Sequence, residues 1–373
     1  MSGPEHLILG IESSCDETAA AIVAGGRRIL SSIVASQTEI HRKYGGVVPE
    51  LASREHLRQI VPVVREAIEQ ANVTLRDIDA VAVTHGPGLV GALLVGVTYG
   101  KVLAQALGKP LIAVNHLEGH VHAVFLEAHA AGRSLRLPAV CLVVSGGHTV
   151  IYYVTSEIAN GSESFSYARI GGTRDDAAGE AYDKVARMLG LGYPGGPVID
   201  RLAPHGNPQA IRFGEPKMSG NIYDFSFSGI KTAVLYHLRR NPQLQPEIDA
   251  RRQALARSER SADALGALSS PATLDLIASF QRAVVENLVA RTLAATEHRR
   301  APTVLVSGGV AANSELRRTF ETEIARRNLE VYFPSRALST DNAAMIAAAG
   351  HARFLAGLHA DSTLNAEPNL SLT

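Results

Sequence analysis

The chain has 373 residues, room for roughly two domains, and 46% of them are hydrophobic, enough for a sizeable core. Lys plus Arg equal Asp plus Glu at 36 each, so no global field draws in nucleic acid and an RNA partner has to be met by a local patch. Cys15 and Cys141 give no disulfide framework and fit a reducing compartment. Residues 1–6 are polar and unlike a signal peptide. The apolar region 89–107 carries Lys101, Gln105 and several glycines, which reads as a packed helix rather than a membrane span. A soluble, cytoplasmic protein with no membrane partner is expected.

Residues 7–11 read as a strand. Glu12, Ser13, Ser14, Cys15, Asp16, Glu17 and Thr18 then make a polar turn into a second strand at 19–23, and Gly25-Gly26 turns into a third at 29–34, a meander. The polar turn is either an ordinary hairpin or a rim that holds phosphate, directly or through a metal ion. Cys15 has no histidine near it in sequence and reads as a small buried residue, not a nucleophile. Residues 49–70 read as a helix with Leu51, Leu57, Ile60, Val61, Val64 and Ile68 on its inward stripe, kinked or broken at Pro62. A buried strand at 80–83 leads through a Gly-Pro-Gly turn into a Gly- and Ala-rich helix that ends at Leu107.

The next strand, 111–114, delivers Asn115, His116, Leu117, Glu118, Gly119 and His120 at its carboxyl end, where open α/β sheets place ligands. His116 and His120 stand four apart on a helix, on one face, so both can reach one divalent metal. A pair of ordinary core or surface histidines is the plain alternative. Glu118 follows the first histidine by two positions, not one, about 100° further round the helix. The zinc-peptidase arrangement is therefore not met. A meander followed by alternating helix and strand describes a ribonuclease-H-like lobe.

After a linker at 133–138 the pattern repeats. Residues 139–144 and 150–154 read as a strand pair around the turn Ser145-Gly146-Gly147-His148-Thr149, so the chain reads as two related lobes. Val-Ser-Gly-Gly recurs at 306–309 between a strand and a helix opened by Asn313, where backbone N–H groups can meet an anion. Asp183, on a helix ending near Gly190, suits a ribose diol or plain solvent. Tyr193-Pro194-Gly195-Gly196 is a tight loop able to lie against a flat base, leading to Asp200 on the next helix. Residues 242–271 are polar and arginine-rich and read as a mobile or peripheral insertion. Arginine doublets on the later helices are solvated faces or RNA contacts. Asp341 is either an N-cap or, if the helix 343–355 packs back on the first lobe, a third metal ligand beside the two histidines. Two imidazoles and a carboxylate suit iron or zinc. The tail from His359 on is expected to be disordered.

Taken together, residues 10–18, 115–120, 144–148, 179–184, 193–196, 307–313 and 339–342 resemble the universal tRNA threonylcarbamoyladenosine transferase family, known in bacteria as TsaD. The resemblance covers about 7–355. It implies an α/β, actin-like or Hsp70-like ATPase (ASKHA) fold of two ribonuclease-H-like lobes, 7–138 and 139–355. Helix 342–355 would pack back on the first, with 242–271 as a variable insertion and 356–373 as a tail. It implies a metal, Fe(II) with Zn(II) as the alternative, on His116, His120 and Asp341. The adenylate would lie among Val144, Ser145, Gly146, Gly147, His148, Asp183, Gly196, Asp200 and Asn313. The reaction implied is transfer of a threonylcarbamoyl group from threonylcarbamoyl-AMP to the exocyclic amine of the adenosine just 3′ of the anticodon, in tRNAs reading codons that begin with A. Glu12 is a candidate general base by position only. A smaller paralogue of the same fold (TsaB-like) and a P-loop ATPase (TsaE-like) are the expected partners besides tRNA, in a heterodimer or larger complex. An ATPase or kinase of the same fold is the alternative class, and a metallopeptidase is a poorer one.

Overall fold

The computed structural model describes residues 5–159, 162–214 and 219–373. The first half runs β1 (Leu7–Glu12), β2 (Glu17–Ala24), β3 (Arg28–Ser36), α1 (Thr38–Arg42), α2 (Pro49–Ala71), β4 (Ala80–Gly86), α3 (Val90–Leu107), β5 (Leu111–Asn115) and α4 (His116–Ala130). The first three strands form an antiparallel meander, and β4 and β5 extend it in parallel on the β1 side.

The second half opens with β6 (Ala139–Val144), β7 (Thr149–Ala159) and β8 (Ser162–Gly172). Helices α5 (Ala178–Met188), α6 (Gly195–Leu202), α7 (Ser228–Arg240), α8 (Gln245–Ala256), α9 (Ala262–Ala267) and α10 (Pro271–Arg299) follow. The chain then runs β9 (Thr303–Ser307), α11 (Ser314–Ala325), β10 (Glu330–Tyr332), α12 (Arg336–Ser339) and α13 (Ala343–Leu355). This sheet has the order β8-β7-β6-β9-β10, against β3-β2-β1-β4-β5 in the first half. One plan, a meander joined to two parallel strands, is used twice, and that duplication is the actin-like ATPase (ASKHA) architecture. The central strands are covered on both faces, which is why they read as unbroken apolar runs.

Two helices tie the halves together. The last helix, α13, leaves the second half and packs on β1, β2, β4 and α4 of the first. Its contact surface is made of very small residues. A Cβ at Gly10 of β1 would lie 2.2 Å from the Ala343 carbonyl, and one at Gly350 would lie 2.5 Å from Ala82. Helix α4 is buried on two sides. Ala123 and Leu126 join the cluster under α13, while Leu117, Val121, Val124 and Phe125 pack on the second sheet.

Three expectations are corrected. Helix α2 runs unbroken through Pro62, and its inward residues are Ala52, His56, Ile60, Val63, Val64 and Ala67. Leu57 is 66% exposed and Val61 46%. Close packing on β2, β3 and α3 selects the inward face, and Pro62, which has no N–H to give, leaves the carbonyl of exposed Arg58 to water. The segment 242–271 is neither mobile nor peripheral, because Leu244, Ile248, Ala254 and Leu265 are buried. Arg251 is fully buried there and donates to the carbonyls of Leu189 and Leu268. The tail is ordered as well. Ala360 bridges to Leu111, Lys101 donates to the Leu364 carbonyl, Glu367 N donates to His85 O, and Leu372 is 4% exposed in the cluster against the second sheet. Residues 360–372 thus form a strap across both halves, held by backbone bonds and spaced leucines.

Val90–Leu107 is, among the described residues, the one helix long and apolar enough to cross a membrane. Its inner face packs on β4 and α2, as a core helix does.

The α13 seat gives a test of stability. Gly10→Val should cost about 1–3 kcal/mol or more, the scale of overpacking, because the side chain would meet backbone. Gly229→Ala, whose Cβ meets nothing within 4 Å, should be neutral or slightly stabilising. Chemical denaturation of the two variants against the parent chain measures both.

Candidate functional site

The site is assembled at the carboxyl ends of β1, β5, β6 and β9. Asn115 caps α4 by accepting from Leu117 N, which fixes His116 and His120 as successive turns of one face. Asn342 caps α13 by accepting from Met345 N, and Asp341 is the residue before it. The seating of α13 on α4 therefore brings Asp341 Oδ1 to 3.3 Å from His120 Nε2 and 3.6 Å from His116 Nε2. One ligand atom from each of the three residues lies within 4.8 Å of the others. Both ring nitrogens of His120 are buried without a hydrogen-bond partner, although Asp341 is near. The three groups converge on a common point, with Asp341 in ion-pair range of both rings, and that donor set fits a divalent cation.

Behind the triad, Glu12 holds His116. Its Oε2 is 3.0 Å from His116 Nδ1 and accepts from Thr84 Oγ1, while Oε1 accepts from Ser14 N. Ser14 Oγ also reaches His116 Nδ1 at 3.2 Å. Fixing the far nitrogen of a ligating imidazole orients the near one. Burial opposes a charge on His116, but Asp341 and Glu12 outweigh it and raise its pKa to about 9. Burial would also raise Asp341, and the two histidines instead hold it well below the usual carboxylate range. Burial and the neighbouring His116 lower His148 to about 4.

Glu118 faces elsewhere. Its carboxylate accepts from Arg353 Nε of α13 at 2.8 Å and from Tyr167. It clamps α4 to α13 and plays no part beside the triad, so the peptidase arrangement fails in three dimensions as well.

His148 links the triad to the second part of the site, its ring 6.2 Å from that of His116. It ends the loop Ser145-Gly146-Gly147, which adjoins the second glycine turn. A Cβ at Gly308 would lie 2.3 Å from Val144 O, and Gly179 N donates to Ser145 O. Gly146, Gly147, Gly196 and Gly309 would each extend a Cβ into open space, so their backbones face a cleft. The polar residues expected around a nucleotide border this cleft but are engaged with backbone. Asp183 accepts from Gly195 N, Asp200 accepts from Ser314 N, and Asn313 caps α11 at Leu316 N. Burial raises the Asp183 pKa despite those donors. The first half meets this side at three points: Arg42 Nε donates to Tyr193 O, Gly45 O accepts from Arg187, and Glu39 pairs with Arg260.

Several partners escaped the sequence reading. Thr84 on Glu12, Gln281 on Asn313 and Asp200, and His56, which spans Thr18 Oγ1 and Cys15 O, carry no local motif. Only their distance in the fold shows what they do.

The TsaD family model, described as tRNA N6-adenosine threonylcarbamoyltransferase, matches residues 28–348. A protein of that description from Koribacter versatilis is 56% identical, over 99% of each chain. One from Symbiobacterium thermophilum is 52% identical, covering 99% of this chain and 97% of its own. Among solved structures, full-length HypF in its phosphate- and nucleotide-bound form overlays 93% of this chain and 46% of its own with a TM-score of 0.51 at 12% identity, a likeness of fold alone.

Removing a ligand tests the triad. His120→Ala and Asp341→Ala should each weaken divalent-metal binding by at least about 10–100-fold, the scale of changes one shell further out. Saturating metal, at about 100 times its dissociation constant, should stabilise the parent chain by roughly 2.7 kcal/mol and leave these variants unmoved. Because the metal must displace the proton from His116, affinity in the parent chain should rise with pH by up to about tenfold per unit, until that group is neutral near pH 9. Calorimetry on metal-free protein reads all three. Unchanged affinity in both variants would remove the site.

Proposed function

The chain belongs to the TsaD family of tRNA N6-adenosine threonylcarbamoyltransferases, acyltransferases that act on tRNA, and from that premise we propose how its cleft performs the transfer. The observation that carries the reading is the meeting of the His116, His120 and Asp341 group with the open glycine backbones through His148. An acyl phosphate needs these two things side by side: a site that polarises the acyl oxygen and a cradle for the leaving phosphate.

The donor is threonylcarbamoyl-AMP. Its adenylate lies along Val144, Ser145, Gly146, Gly147 and Gly196, with Gly309 opposite, where N–H groups can face the phosphate. Asp183, Asp200 and Asn313 brace the loops that form this wall and present their remaining lone pairs to the nucleoside. His116, His120 and Asp341 would hold a divalent metal, Fe(II) by family resemblance with Zn(II) as the alternative, which would supply Lewis-acid polarisation of the carbamoyl oxygen. The exocyclic amine of the tRNA adenosine next to the anticodon, on the 3′ side, then adds to the carbamoyl carbon. The C–O bond to phosphate breaks, AMP leaves with the electron pair, and the amine loses a proton. An aromatic amine is a poor nucleophile, so the rate depends on activating the carbon. Glu12 is fully buried with both oxygens occupied, and we assign it to orienting His116 instead of accepting that proton.

The partners are those that the family resemblance implies. Leu57 and Val61 on α2, with Val90, Leu94 and Val102 on the adjacent α3, leave an apolar face open, and we assign a smaller paralogue of the same fold to it. A P-loop ATPase completes the set, all in the cytoplasm. The neutral chain holds tRNA through local contacts.

With unmodified tRNA, threonylcarbamoyl-AMP and the two partners, the chain should form the modified nucleoside, scored by mass spectrometry. Alone it should form little and hydrolyse little ATP. Gly309→Val should abolish donor binding by calorimetry, since a side chain would fill the space next to the phosphate. Glu12→Gln should lower metal affinity and activity together. Rapid ATP turnover by the isolated chain would favour the kinase-like alternative and sink this reading.

A further inference from the structure

A second cavity adjoins the triad on the α4 side of the second sheet and shares Gly147 and His148 with the first glycine loop. It measures about 260 Å³ and is walled by the β6–β7 turn at Gly147 and His148, by Leu117 beside His116, by β7 and β8, and by the C-terminal strap. That volume falls just below the roughly 300–1,000 Å³ of drug-sized sites and suits one planar base. Its walls divide by chemistry. Leu117, Val150 and Leu370 are apolar, whereas Asn369 and Ser371 offer donors and acceptors at the edge. Arg169 stands at the rim, exposed, with neither an ion pair nor a hydrogen bond among the described residues.

We propose that this cavity receives the acceptor adenine, turned out of the anticodon loop, with the C-terminal strap as its outer wall and Arg169 holding the adjacent RNA phosphate. The inference rests on the transferase reading above. In that reaction the donor phosphate occupies the glycine loops, so the amine has to reach the carbamoyl carbon from another side of the His148 and His116 wall. The cavity is bounded by His148 and by Leu117, the residue after His116. A base stacked in a loop cannot enter a pocket walled by both halves of the protein, and enzymes that act on a base take it out of the stack. Apolar walls then grip the ring faces while polar side chains read its edge. A guanidinium at the mouth, with no ion pair or hydrogen bond among the described residues, matches a phosphate. The strap is firmly seated for this role. Glu367 N donates to His85 O at 2.7 Å, Gly88 N donates to Pro368 O at 3.1 Å, and Leu372 is buried just beyond the wall.

The test uses the chain with its partners and an anticodon stem-loop RNA carrying 2-aminopurine at the acceptor position, whose fluorescence rises on unstacking. Ser371→Trp fills the cavity from an exposed backbone position and leaves the buried Leu372 in place. It should abolish the fluorescence rise and raise the KM for tRNA by about an order of magnitude or more, with donor affinity and metal content unchanged. Arg169→Ala, an exposed position that does not threaten folding, should lower RNA affinity and reduce the salt dependence of binding by about one ion. Normal fluorescence and KM in Ser371→Trp would overturn the proposal. So would a loss of donor affinity in either variant, which would give the cavity to the threonyl end of the donor. Failure of the parent complex to modify tRNA at all would instead overturn the transferase reading.

Discussion

The contact between α4 and α13 is the constraint on which the site depends. Each helix alone carries an incomplete set of ligands, two imidazoles on one and a single carboxylate ahead of the other. Their separation in space is fixed by alanine and glycine at the helix–sheet surface and by the Glu118–Arg353 pair. Helix α4 also forms part of the second sheet's core, so a shift that opened one boundary would disturb the other. The triad is held less by its own bonds than by the packing around it, as convergent unpaired donors require.

Electrostatics sharpen this arrangement. Glu12 and Asp341 bracket His116, and in the metal-free chain that histidine carries one positive charge between the two carboxylates. Burial and the neighbouring Asp16 push the Cys15 thiol far up, which leaves it inert as a nucleophile. The chain spends its neutrality unevenly: acidic groups gather round one point, and the arginines lie elsewhere, one of them wholly buried as a bracket for backbone carbonyls. A residue count of zero net charge hides both features.

Elements with a strong local pattern were legible. The meanders, the strand before His116, the glycine turn at 306–309 and helix 343–355 could be read because period and punctuation agree. What failed did so for reasons of distance. The face of helix α2 is rotated from the expected one because hydrophobicity favours Leu57 and Val61, whereas the packed face keeps Ile60 and Val64 and adds Ala52, His56, Val63 and Ala67. The 242–271 segment looked solvated because its arginines were counted as surface. The strap looked disordered because its bonds go to residues more than 200 positions earlier. In the site, His116, His120 and Asp341 carried a spacing or capping signal. Thr84 and Gln281 carried none, and Ser14 carried a signal only as part of a polar turn. Asp183, Asp200 and Asn313 had a signal for polar function, but their side chains spend much of their capacity on loop backbone.

The return of α13 to the first sheet has a consequence for synthesis. Ile8, Val23, Ala82, Ile112 and Val114 form the sheet face that α13 covers. When the ribosome has finished α4, that face has no lid, and the helix that closes it is still to be made. At 5–20 residues per second, translation of the intervening chain takes on the order of ten to fifty seconds. Throughout that interval the nascent first half presents an apolar sheet surface to the cell, a binding target for chaperones. The metal centre is among the last features to form, since no ribosome-bound fragment lacking Asp341 contains all three ligands.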